Sequence, residues 1–360
     1  MRDRKESPGH TKQKKELPGR LEEIYGNLWP KHNLRSKMKR TSQSTPFTRT
    51  TAAAALWVFT LSAPLALFGQ ASNPLQLGIL RWYSANQTTT INVGVQPVGV
   101  AFDGANMWIS NAGSNNLMKF AANDCTLLGT FTVGNYPRGL VFDGANIWVA
   151  NSKSNNVMKL KTDGTILGTF AVGNLPTGLV FDGLNIWVSN RNDNTVTKLR
   201  ASDGSVLGTF PAGQMPWFMA FDGTNLWVAN SCPTCTTVTK MSITDGSIVG
   251  TYTVGGAPYA VAFDGTNMWV ANTGTGNVTK MQTDGTILGA YPTGVQPIGL
   301  AFDGTNMWVA NYKGNTVVKL RASDGALLGT FAPGLQPYIL AFDGANIWVT
   351  NFQSNTISKM

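Results

Sequence analysis

Apolar runs of four or five residues alternate with short polar turns along most of the chain. The stretch 137–173 has four such runs, at residues 139–142, 147–150, 157–160 and 166–170. Asp-Gly pairs separate the first run from the second and the third from the fourth, and glycine accepts the positive φ that a tight hairpin turn needs. The inner runs are apolar at successive positions, which is typical of strands buried on both faces. The pattern predicts a four-stranded sheet packed between two neighbours.

This four-strand unit repeats seven times. The tripeptide Phe-Asp-Gly recurs with its aspartate at 103, 143, 182, 222, 264, 303 and 343, a period of 39 to 42 residues. Units of this length with four strands are typical of β-propeller blades. The seventh unit ends at Met360 after its third strand, whereas residues 89–94 resemble the fourth strand of the other units. The sequence predicts an all-β, seven-bladed propeller of four-stranded antiparallel blades, closed by the N-terminal strand completing the last blade.

Two parts of the repeat resemble known families. Trp-Val-x-Asn followed by Asn-Thr-Val-x-Lys-Leu, at 187–199 and 308–320, is similar to the YVTN-type β-propeller repeat. The frame Pro-x-Gly, Phe-Asp-Gly and Trp resembles the repeat of the streptogramin (virginiamycin B) lyase propellers. The first resemblance implies an exported or cell-surface binding protein, and the second implies a histidine and a divalent metal in the channel mouth. The only histidines are His10 and His32, both before the repeats, so no lyase catalytic residue can be carried over.

The positive charge of the chain lies outside the repeats. The formal net charge is +9, but residues 72–360 carry 15 Lys/Arg and 14 Asp and are nearly neutral. Residues 1–37 carry 10 Lys/Arg and 5 Asp/Glu, and residues 38–71 carry 3 basic residues and no acid. Binding of nucleic acid needs clustered positive charge in the folded part. The charge distribution therefore argues against a nucleic-acid partner.

The segment before the repeats has the layout of a secretory signal. Basic residues Lys39 and Arg40 precede an apolar run at 52–67, and Gly69 and Ala71 are the small residues of a cleavage site after Ala71. The run of about 16 residues is shorter than the roughly 20 that a membrane-spanning helix needs. We therefore expect a cleaved signal peptide; a retained membrane anchor is the alternative.

These features divide the chain into four parts. Residues 1–37 are a polar, basic extension that is either disordered or upstream of the true start at Met38. Residues 38–71 are the signal peptide, residues 72–87 a short linker and residues 88–360 the propeller. We expect export to the periplasm, the cell surface or the medium, as a monomer with no stable membrane insertion after cleavage.

The repeat region holds few groups that could do chemistry. After Met38 the chain has no Glu and no His, and its aspartates fall at hairpin turns by register, except Asp193. General acid–base catalysis usually needs a histidine or a carboxylate pair, and hard-metal sites need converging carboxylates. We expect no catalytic residue, no metal and no cofactor, and a non-enzymatic binding or scaffolding role. The alternative is a lyase-like or lactonase-like propeller enzyme with a metal in the channel.

Positions that differ from unit to unit are the candidates for binding. In a propeller, the loop before the innermost strand and the loop between the second and third strands share the face at the channel mouth. The variable residues there are basic in units two and three and aromatic in units four to seven: Arg138, Lys153 and Arg191, then Trp217, Tyr259, Tyr312, Tyr338 and Phe352. One interpretation is ordinary loop variation. The other is that a cationic arc faces an aromatic arc, and that the two bind an acidic peptide, a glycan or an amphipathic anion. The partner itself, a protein, peptide or glycan, is unknown from the sequence.

Two classes of tryptophan follow from the repeat. One tryptophan recurs in every unit, at 108, 148, 187, 227, 269, 308 and 348, and is predicted to form the core between blades. Truncating one of these, such as Trp227, should cost about 3–5 kcal/mol. Trp217 is not part of the repeat, and at an open mouth its truncation should cost roughly 0.5 kcal/mol or less.

The three cysteines of the chain lie in the repeat region. Cys232 and Cys235 fall in the one unit with two extra residues, and in an exported chain we expect a local disulfide between them. Cys125 replaces the glycine of a second hairpin turn, on the opposite rim. It is therefore expected to be unpaired or intermolecular.

Overall fold

The computed structural model describes residues 88–360, which form seven antiparallel sheets of four strands. The first strand is β1 (Thr89–Asn92). Blade 1 consists of β2 (Pro97–Phe102), β3 (Asn106–Asn111), β4 (Asn116–Ala121) and β5 (Leu127–Thr132). Blade 2 consists of β6 (Pro137–Phe142), β7 (Asn146–Asn151), β8 (Asn156–Lys161) and β9 (Ile166–Ala171). Blade 3 consists of β10 (Pro176–Phe181), β11 (Asn185–Asn190), β12 (Thr195–Arg200) and β13 (Val206–Pro211).

The remaining blades repeat this order. Blade 4 consists of β14 (Pro216–Phe221), β15 (Asn225–Asn230), β16 (Thr237–Ser242) and β17 (Ile248–Thr253). Blade 5 consists of β18 (Pro258–Phe263), β19 (Asn267–Asn272), β20 (Asn277–Gln282) and β21 (Ile287–Pro292). Blade 6 consists of β22 (Pro297–Phe302), β23 (Asn306–Asn311), β24 (Thr316–Arg321) and β25 (Leu327–Phe331). Blade 7 consists of β26 (Pro337–Phe342), β27 (Ile347–Asn351), β28 (Thr356–Lys359) and β1.

The predicted all-β, seven-bladed propeller is confirmed. The strands predicted for the second unit all form, and each extends beyond the apolar run by one or two residues. The predicted extension (1–37), signal peptide (38–71) and linker (72–87) lie outside the described residues. Among residues 88–360, no helix is long and apolar enough to cross a membrane.

A tryptophan in the second strand of each blade holds that blade to the next. Trp148 is fully buried and packs in one cluster with Leu179 and Ile186 of blade 3. Its indole Nε1 donates to Asp143 Oδ2 at 2.7 Å, and its ring lies 5.6 Å from that of Phe170 in its own outer strand. The same tryptophan-to-aspartate bond occurs in all seven blades. The predicted inter-blade core is confirmed, and the first-hairpin aspartates serve it.

A lysine in the third strand adds a second link between neighbouring blades. Lys159 Nζ lies 5.1 Å from the ring centroid of Trp148 and donates to the carbonyl of Ala201, in the next blade's outer hairpin turn, at 2.6 Å. Six of the seven blades make this bond. Charge-assisted hydrogen bonds of this kind are worth more than neutral ones. On the Asp-Gly face, the same lysine side chain therefore connects neighbouring blades at six of the seven interfaces.

The N-terminal strand closes the ring as predicted. β1 pairs antiparallel with β28, with Ile91 opposite Ile357. On the mouth face, Asn355 Oδ1 accepts the backbone N–H of Gln96 at 2.9 Å. On the other face, Lys359 Nζ donates to the carbonyl of Ala122 at 2.6 Å. Residues more than 230 apart in the chain thus join blade 7 to blade 1.

The seam leaves blade 7 without a turn between its third and outer strands, because those strands lie at opposite ends of the propeller sequence. Lys319 of blade 6 makes none of the carbonyl bonds seen for the other six lysines, and its Nζ lies 3.7 Å from Asp303 Oδ2. Trp308 of the same blade is 7% exposed, whereas the other six repeat tryptophans are fully buried. At the interface between blades 6 and 7, the repeat tryptophan is therefore more exposed to solvent than at the other six interfaces.

The seam between β1 and β28 also explains why a cysteine, Cys125, can take the place of the glycine found in other blades. In blade 2 the equivalent residue is Gly164, where a Cβ atom would collide with the ring of Phe131 from the preceding blade. Before blade 1 that ring is replaced by Ile91, which is smaller. Cys125 and Ile91 both pack against the buried cluster around Trp348. The shorter side chain leaves room for a Cβ, although Cys125 keeps the positive φ of 64° typical of glycine.

Candidate ligand site at the channel mouth

The mouth of the channel is shaped by a loop whose last residue has the same backbone conformation in all seven blades. The residue before the proline of each innermost strand has a positive φ between 48° and 58°. In five blades its N–H donates to an asparagine side chain of the preceding blade, as Tyr136 does to Asn115 Oδ1 at 2.8 Å. These bonds support a backbone conformation that costs a non-glycine residue about 1–2 kcal/mol. They also fix the position of the residue two places later, which is Arg138 in blade 2.

Contacts between non-adjacent blades show that these later residues meet at the ring axis. The guanidinium of Arg138 in blade 2 lies 5.2 Å from the ring centroid of Trp217 in blade 4. Arg138 also donates to the hydroxyl of Tyr338 in blade 7 at 3.4 Å. The hydroxyl of Tyr259 in blade 5 is hydrogen-bonded to the same Tyr338 hydroxyl. Side chains of four blades therefore converge at this end of the channel.

The five predicted aromatic residues form one continuous cluster. The ring centroids of Trp217 and Tyr259 are 4.7 Å apart, and Tyr338 meets Tyr259 edge-on at 6.1 Å. Tyr312 and Phe352 each lie 5.7 Å from Tyr338. Trp217 and Tyr338 are only 8% and 7% exposed. The expected open mouth is therefore wrong at Trp217: large side chains from several blades pack over its ring.

The predicted basic residues touch the aromatic ones instead of facing them across an open channel. Arg191 lies 4.6 Å from the ring centroid of Trp217, on which Arg138 also packs. The two guanidinium groups are thus within about 10 Å of each other, one Debye length at 0.1 M salt. Lys153 lies at the edge of the site, 4.5 Å from the ring of Tyr136, which also contacts Arg138 at 4.9 Å. All eight predicted residues belong to one connected group.

In the part of the chain that the structure describes, no acidic side chain balances these cations. Within residues 88–360, no carboxylate oxygen lies within 4.0 Å of a charged nitrogen of Arg138, Lys153 or Arg191. Asp193 is two residues from Arg191, but its Oδ2 accepts the backbone N–H of Asn174 at 2.6 Å. The mouth therefore has a local excess of positive charge, although the propeller as a whole is nearly neutral.

Three buried N–H groups at this site lack a hydrogen-bond acceptor. They are Nε of Arg138, Nε of Arg191 and Nε1 of Trp217. The other buried side-chain atoms without a partner in residues 88–360 are the Oδ1 atoms of one repeated asparagine per blade, at 111, 151, 190, 230, 272, 311 and 351. Those oxygens recur in every blade and belong to the repeat. Among residues 88–360, the unpaired groups are donors only at Arg138, Arg191 and Trp217, and only these positions differ between blades.

The pKa shifts reflect burial and the crowding of like charges. Burial lowers the pKa of Arg191, and the charge of Arg138 lowers it further. Burial also lowers the pKa of Arg138, but the hydroxyls of Tyr338, Tyr259 and Tyr136 outweigh it and the net direction is upward. Burial and the neighbouring Tyr338 raise the pKa of Tyr259 well above its ordinary value of 10.0. Because a guanidinium keeps its proton in proteins, both arginines are cations at neutral pH, and Tyr259 is a neutral hydroxyl.

A pocket of about 240 Å³ opens beside the cationic group. It is lined by Tyr259, Thr273, Gln296, Ile298, Tyr312 and Tyr338, so most of its wall is carbon. Tyr259 and Tyr338 also belong to the group around the arginines. The site thus combines unpaired donors with an adjoining apolar cavity.

Two aromatic residues of the site were not predicted from the sequence. Arg138 and Lys153 both pack against the ring of Tyr136. The ring centroids of Phe218 and Tyr259 are 5.8 Å apart. Tyr136 is the only aromatic residue at its loop position, where the other blades have Gln, Leu, Met or Ala. That difference was a signal available in the sequence. Phe218 also departs from the repeat, because its position is glycine in blades 1, 2, 3 and 6, alanine in blade 5 and isoleucine in blade 7.

The three cysteines do not belong to the group of residues around Arg138 and Arg191. Cys232 and Cys235 are joined by a disulfide in the loop after β15. The sulfur of Cys232 is 3.6 Å from Gln214 Oε1. Cys125 is the free thiol of the propeller, and burial raises its pKa. Among residues 88–360, no three His, Cys, Asp or Glu side chains are grouped so that they could hold a metal ion.

Neither a protein-family model nor a curated protein sequence matches the chain. Solved structures do match in fold. Hydrazine synthase of Kuenenia stuttgartiensis superposes with a TM-score of 0.68 and 17% identity, over 75% of this chain and 97% of that chain. A catalytically inactive variant of virginiamycin B lyase from Staphylococcus aureus, with quinupristin, gives 0.66 and 16%, over 76% and 98%.

A streptogramin B lyase gives a TM-score of 0.65 and 16% identity, over 76% of this chain and 96% of that chain. At these identities the likeness concerns the fold. The predicted resemblance to streptogramin lyase propellers is confirmed at that level, and the YVTN-type family stays a prediction. The chain is a seven-bladed β-propeller with the same fold as these enzymes.

Proposed function

We propose that this protein is an exported, non-enzymatic binding propeller whose channel mouth binds an anionic group on a protein, peptide or glycan. The observation that carries the proposal is the set of three buried donors, on Arg138, Arg191 and Trp217, without an acceptor. Leaving a buried donor unpaired costs about 1–3 kcal/mol, and more when it is charged. An anion bound at the mouth supplies the missing acceptors.

The charge arrangement supports the same conclusion. Arg138 and Arg191 pack on one indole and repel each other, which is why the charge of Arg138 lowers the pKa of Arg191. Structural arginines in a core are normally paired with carboxylates. Residues 88–360 supply no such carboxylate, and we propose that the counter-charge comes from a bound ligand. A guanidinium presents donors in a planar fork that fits a carboxylate or a similar oxyanion.

Export is proposed from the sequence of the leader and from the cysteines. Disulfides persist in oxidising compartments and are rare in the cytosol. Cys232 and Cys235 are bonded in a surface loop of the mouth face. With a nearly neutral propeller, a nucleic-acid partner is not part of the proposal.

A lyase-like enzyme is the second candidate, because structures of virginiamycin B lyase share the fold. It is the weaker candidate, since residues 38–360 contain no His and no Glu to act as acid or base. The test is incubation of the full chain with quinupristin and Mg²⁺, followed by liquid chromatography. A new species that depends on the protein would replace the binding proposal by the enzymatic one.

The binding proposal is tested on an array of acidic peptides and anionic glycans probed with the full chain. Binding should fall as salt is raised, because the interaction is between charges. Arg191→Gln should lose the signal. Lys313→Gln is the matched control: Lys313 is exposed and occupies in blade 6 the position that Lys153 has in blade 2. Equal binding by both variants would place the site elsewhere.

A further inference from the structure

The cationic group and the apolar pocket share two side chains. Tyr338 accepts a hydrogen bond from Arg138 and also lines the pocket. Tyr259 lines the pocket too, and its ring stacks against Trp217 at 4.7 Å. A ligand that fills the pocket therefore ends next to the unpaired guanidinium groups. The arginines and the apolar pocket can therefore contact the same small molecule, or the same end of a larger one.

The pocket is small. Its volume of about 240 Å³ is below the roughly 300–1,000 Å³ of sites for drug-sized ligands. At about 30 Å³ per water molecule, it holds the volume of roughly eight waters. That is the space of a single six-membered ring with one or two further atoms.

The walls of the pocket favour an aromatic ring. Tyr312 and Tyr259 both stand edge-on to Tyr338, with interplanar angles of 86° and 80°. Perpendicular rings leave ring faces and edges available for a further aromatic group, which gains from stacked or edge-to-face contact. Ile298, which is 4% exposed, adds an aliphatic wall.

From these observations we infer that the mouth binds a compact aromatic ring carrying a carboxylate. The ring occupies the pocket of Tyr259, Ile298, Tyr312 and Tyr338, and the carboxylate accepts from Arg191 and Arg138. The inference rests on the proposed function, since it names the ligand class of the same site. Amines are excluded by the two cations, and neutral rings leave the donors unpaired.

The chemistry has two sources: a free arylacetic or arylpropionic acid, or a peptide that ends in phenylalanine or tyrosine. In both, a carboxylate lies two or three bonds from the ring. A free acid needs only the pocket. A peptide also has to leave the mouth along the exposed loops, so its backbone contacts residues outside the pocket.

The experiment follows 5-fluorotryptophan-labelled full chain by ¹⁹F NMR, with the Trp217 signal assigned from Trp217→Phe. The probes are phenylacetate, its neutral amide phenylacetamide, and acetate. Phenylacetate should shift the Trp217 signal and bind about tenfold or more tightly than either of the others, because each lacks one of the two interactions. The seven repeat tryptophans are internal controls and should not shift.

Three variants separate the two parts of the site. Arg191→Gln should weaken phenylacetate and acetate alike, by about tenfold or more. Tyr312→Leu should weaken phenylacetate by about fivefold and leave acetate unchanged, since it alters only the pocket wall. Lys313→Gln should change neither. Thermal melting of each variant shows that it is folded.

The outcomes distinguish this inference from the function on which it rests. If acetate or an acidic peptide binds as tightly as phenylacetate, and Tyr312→Leu changes nothing, the anion site stands and the aromatic carboxylate is wrong. If no anion shifts the Trp217 signal, both fail. The peptide Gly-Gly-Phe and its C-terminal amide decide the source: tighter binding of the free-carboxylate peptide than of phenylacetate assigns the site to chain ends.

Discussion

The two faces of the propeller use the same strands in opposite ways. On the Asp-Gly face, each blade repeats one aspartate, one tryptophan and one lysine, and their polar atoms are paired, as Trp148 is with Asp143 and Lys159 is with Ala201. At the mouth, equivalent positions carry different residues. There the donors of Arg138, Arg191 and Trp217 are buried without acceptors.

The difference teaches which positions of a repeat protein hold the ring together and which are available for binding. Each pairing on the Asp-Gly face stabilises one interface between blades, so a change there weakens the fold. Each unpaired donor at the mouth lowers stability by about 1–3 kcal/mol. Removing such a donor should therefore cost little stability and instead reduce binding.

Loss of β1 should have the largest effect, because it opens the ring that both faces share. Deleting residues 88–94 removes the partner of β28 and the Ile91 side chain that packs near Trp348. We expect no folded monomer, only unfolded or oligomeric protein. Size-exclusion chromatography with light scattering and a thermal melt measure this. Deleting residues 1–37 is the control and should leave melting unchanged; a monomeric 88–94 deletion with normal melting would refute closure by β1.

The same tryptophan-to-phenylalanine change should act differently on the two faces. Trp227→Phe removes the 2.7 Å bond to Asp222 Oδ2 and leaves a partly buried carboxylate without that donor. We expect it to cost about 1.5–3 kcal/mol, the usual range for hydrogen bonds to charged groups. Trp217→Phe removes an unpaired donor and keeps a ring, so its cost should be about 1 kcal/mol or less. Urea unfolding gives both values.

Equal costs for the two variants would show that Trp217 is as much a part of the scaffold as Trp227. Binding provides the second readout. Trp217→Phe should weaken anion binding because the indole N–H is lost, whereas Trp227→Phe should leave the affinity of the folded protein unchanged.

Substitutions of the repeat lysine should show that the interface between blades 6 and 7 lacks a hydrogen bond that the other interfaces have. Lys159 is 6% exposed and donates to two carbonyls of blade 3, so Lys159→Met should cost about 1–3 kcal/mol. Lys319 faces the seam, and beside its position over the Trp308 ring it has a 3.7 Å contact with Asp303 in place of a carbonyl bond to the next blade, so Lys319→Met should cost less than about 1 kcal/mol. Chemical denaturation gives the free energy of unfolding of both variants, and so compares the interface between blades 2 and 3 with the one between blades 6 and 7. A Lys319→Met variant that loses as much stability would mean that the seam is fully linked.

The smallest expected effects concern pH. Burial raises the pKa of Asp103, but hydrogen bonds from Trp108 and Asn106 outweigh it and hold the pKa below its ordinary 3.8. The folded state therefore binds fewer protons than the unfolded state, and this stabilisation is present above pH 3.8 and is lost as the pH falls through the folded pKa. Asp103→Asn should make the acid loss of stability shallower.

Tyr259 gives the opposite sign at the mouth. Burial raises its pKa well above 10.0, so its contribution to stability is present below pH 10.0 and is lost as the pH rises through the folded pKa. Tyr259→Phe should make the alkaline loss shallower and leave the acid limb unchanged. Urea midpoints between about pH 2 and pH 11 measure both limbs. If each variant altered both limbs equally, the two faces would not titrate independently.

Much of the site was predictable, but its packing was not. The repeat register placed Arg138, Trp217, Tyr259 and Tyr338 at the mouth, because equivalent positions in a repeat share a location. It did not show that Trp217 is buried. Burial there depends on which side chains from opposite blades reach the axis, and these are separated by up to 200 residues in the chain.

The sequence alone determined the number of blades, the strand order and the closure by β1, because each follows from a local pattern of apolar runs and Asp-Gly turns that repeats seven times. The tertiary structure decided the rest. Curvature of the ring brings Arg138 and Arg191 onto one indole, and the break between Met360 and Thr89 deprives Lys319 of its acceptor. Both depend on distances between blades, which a one-dimensional repeat does not contain.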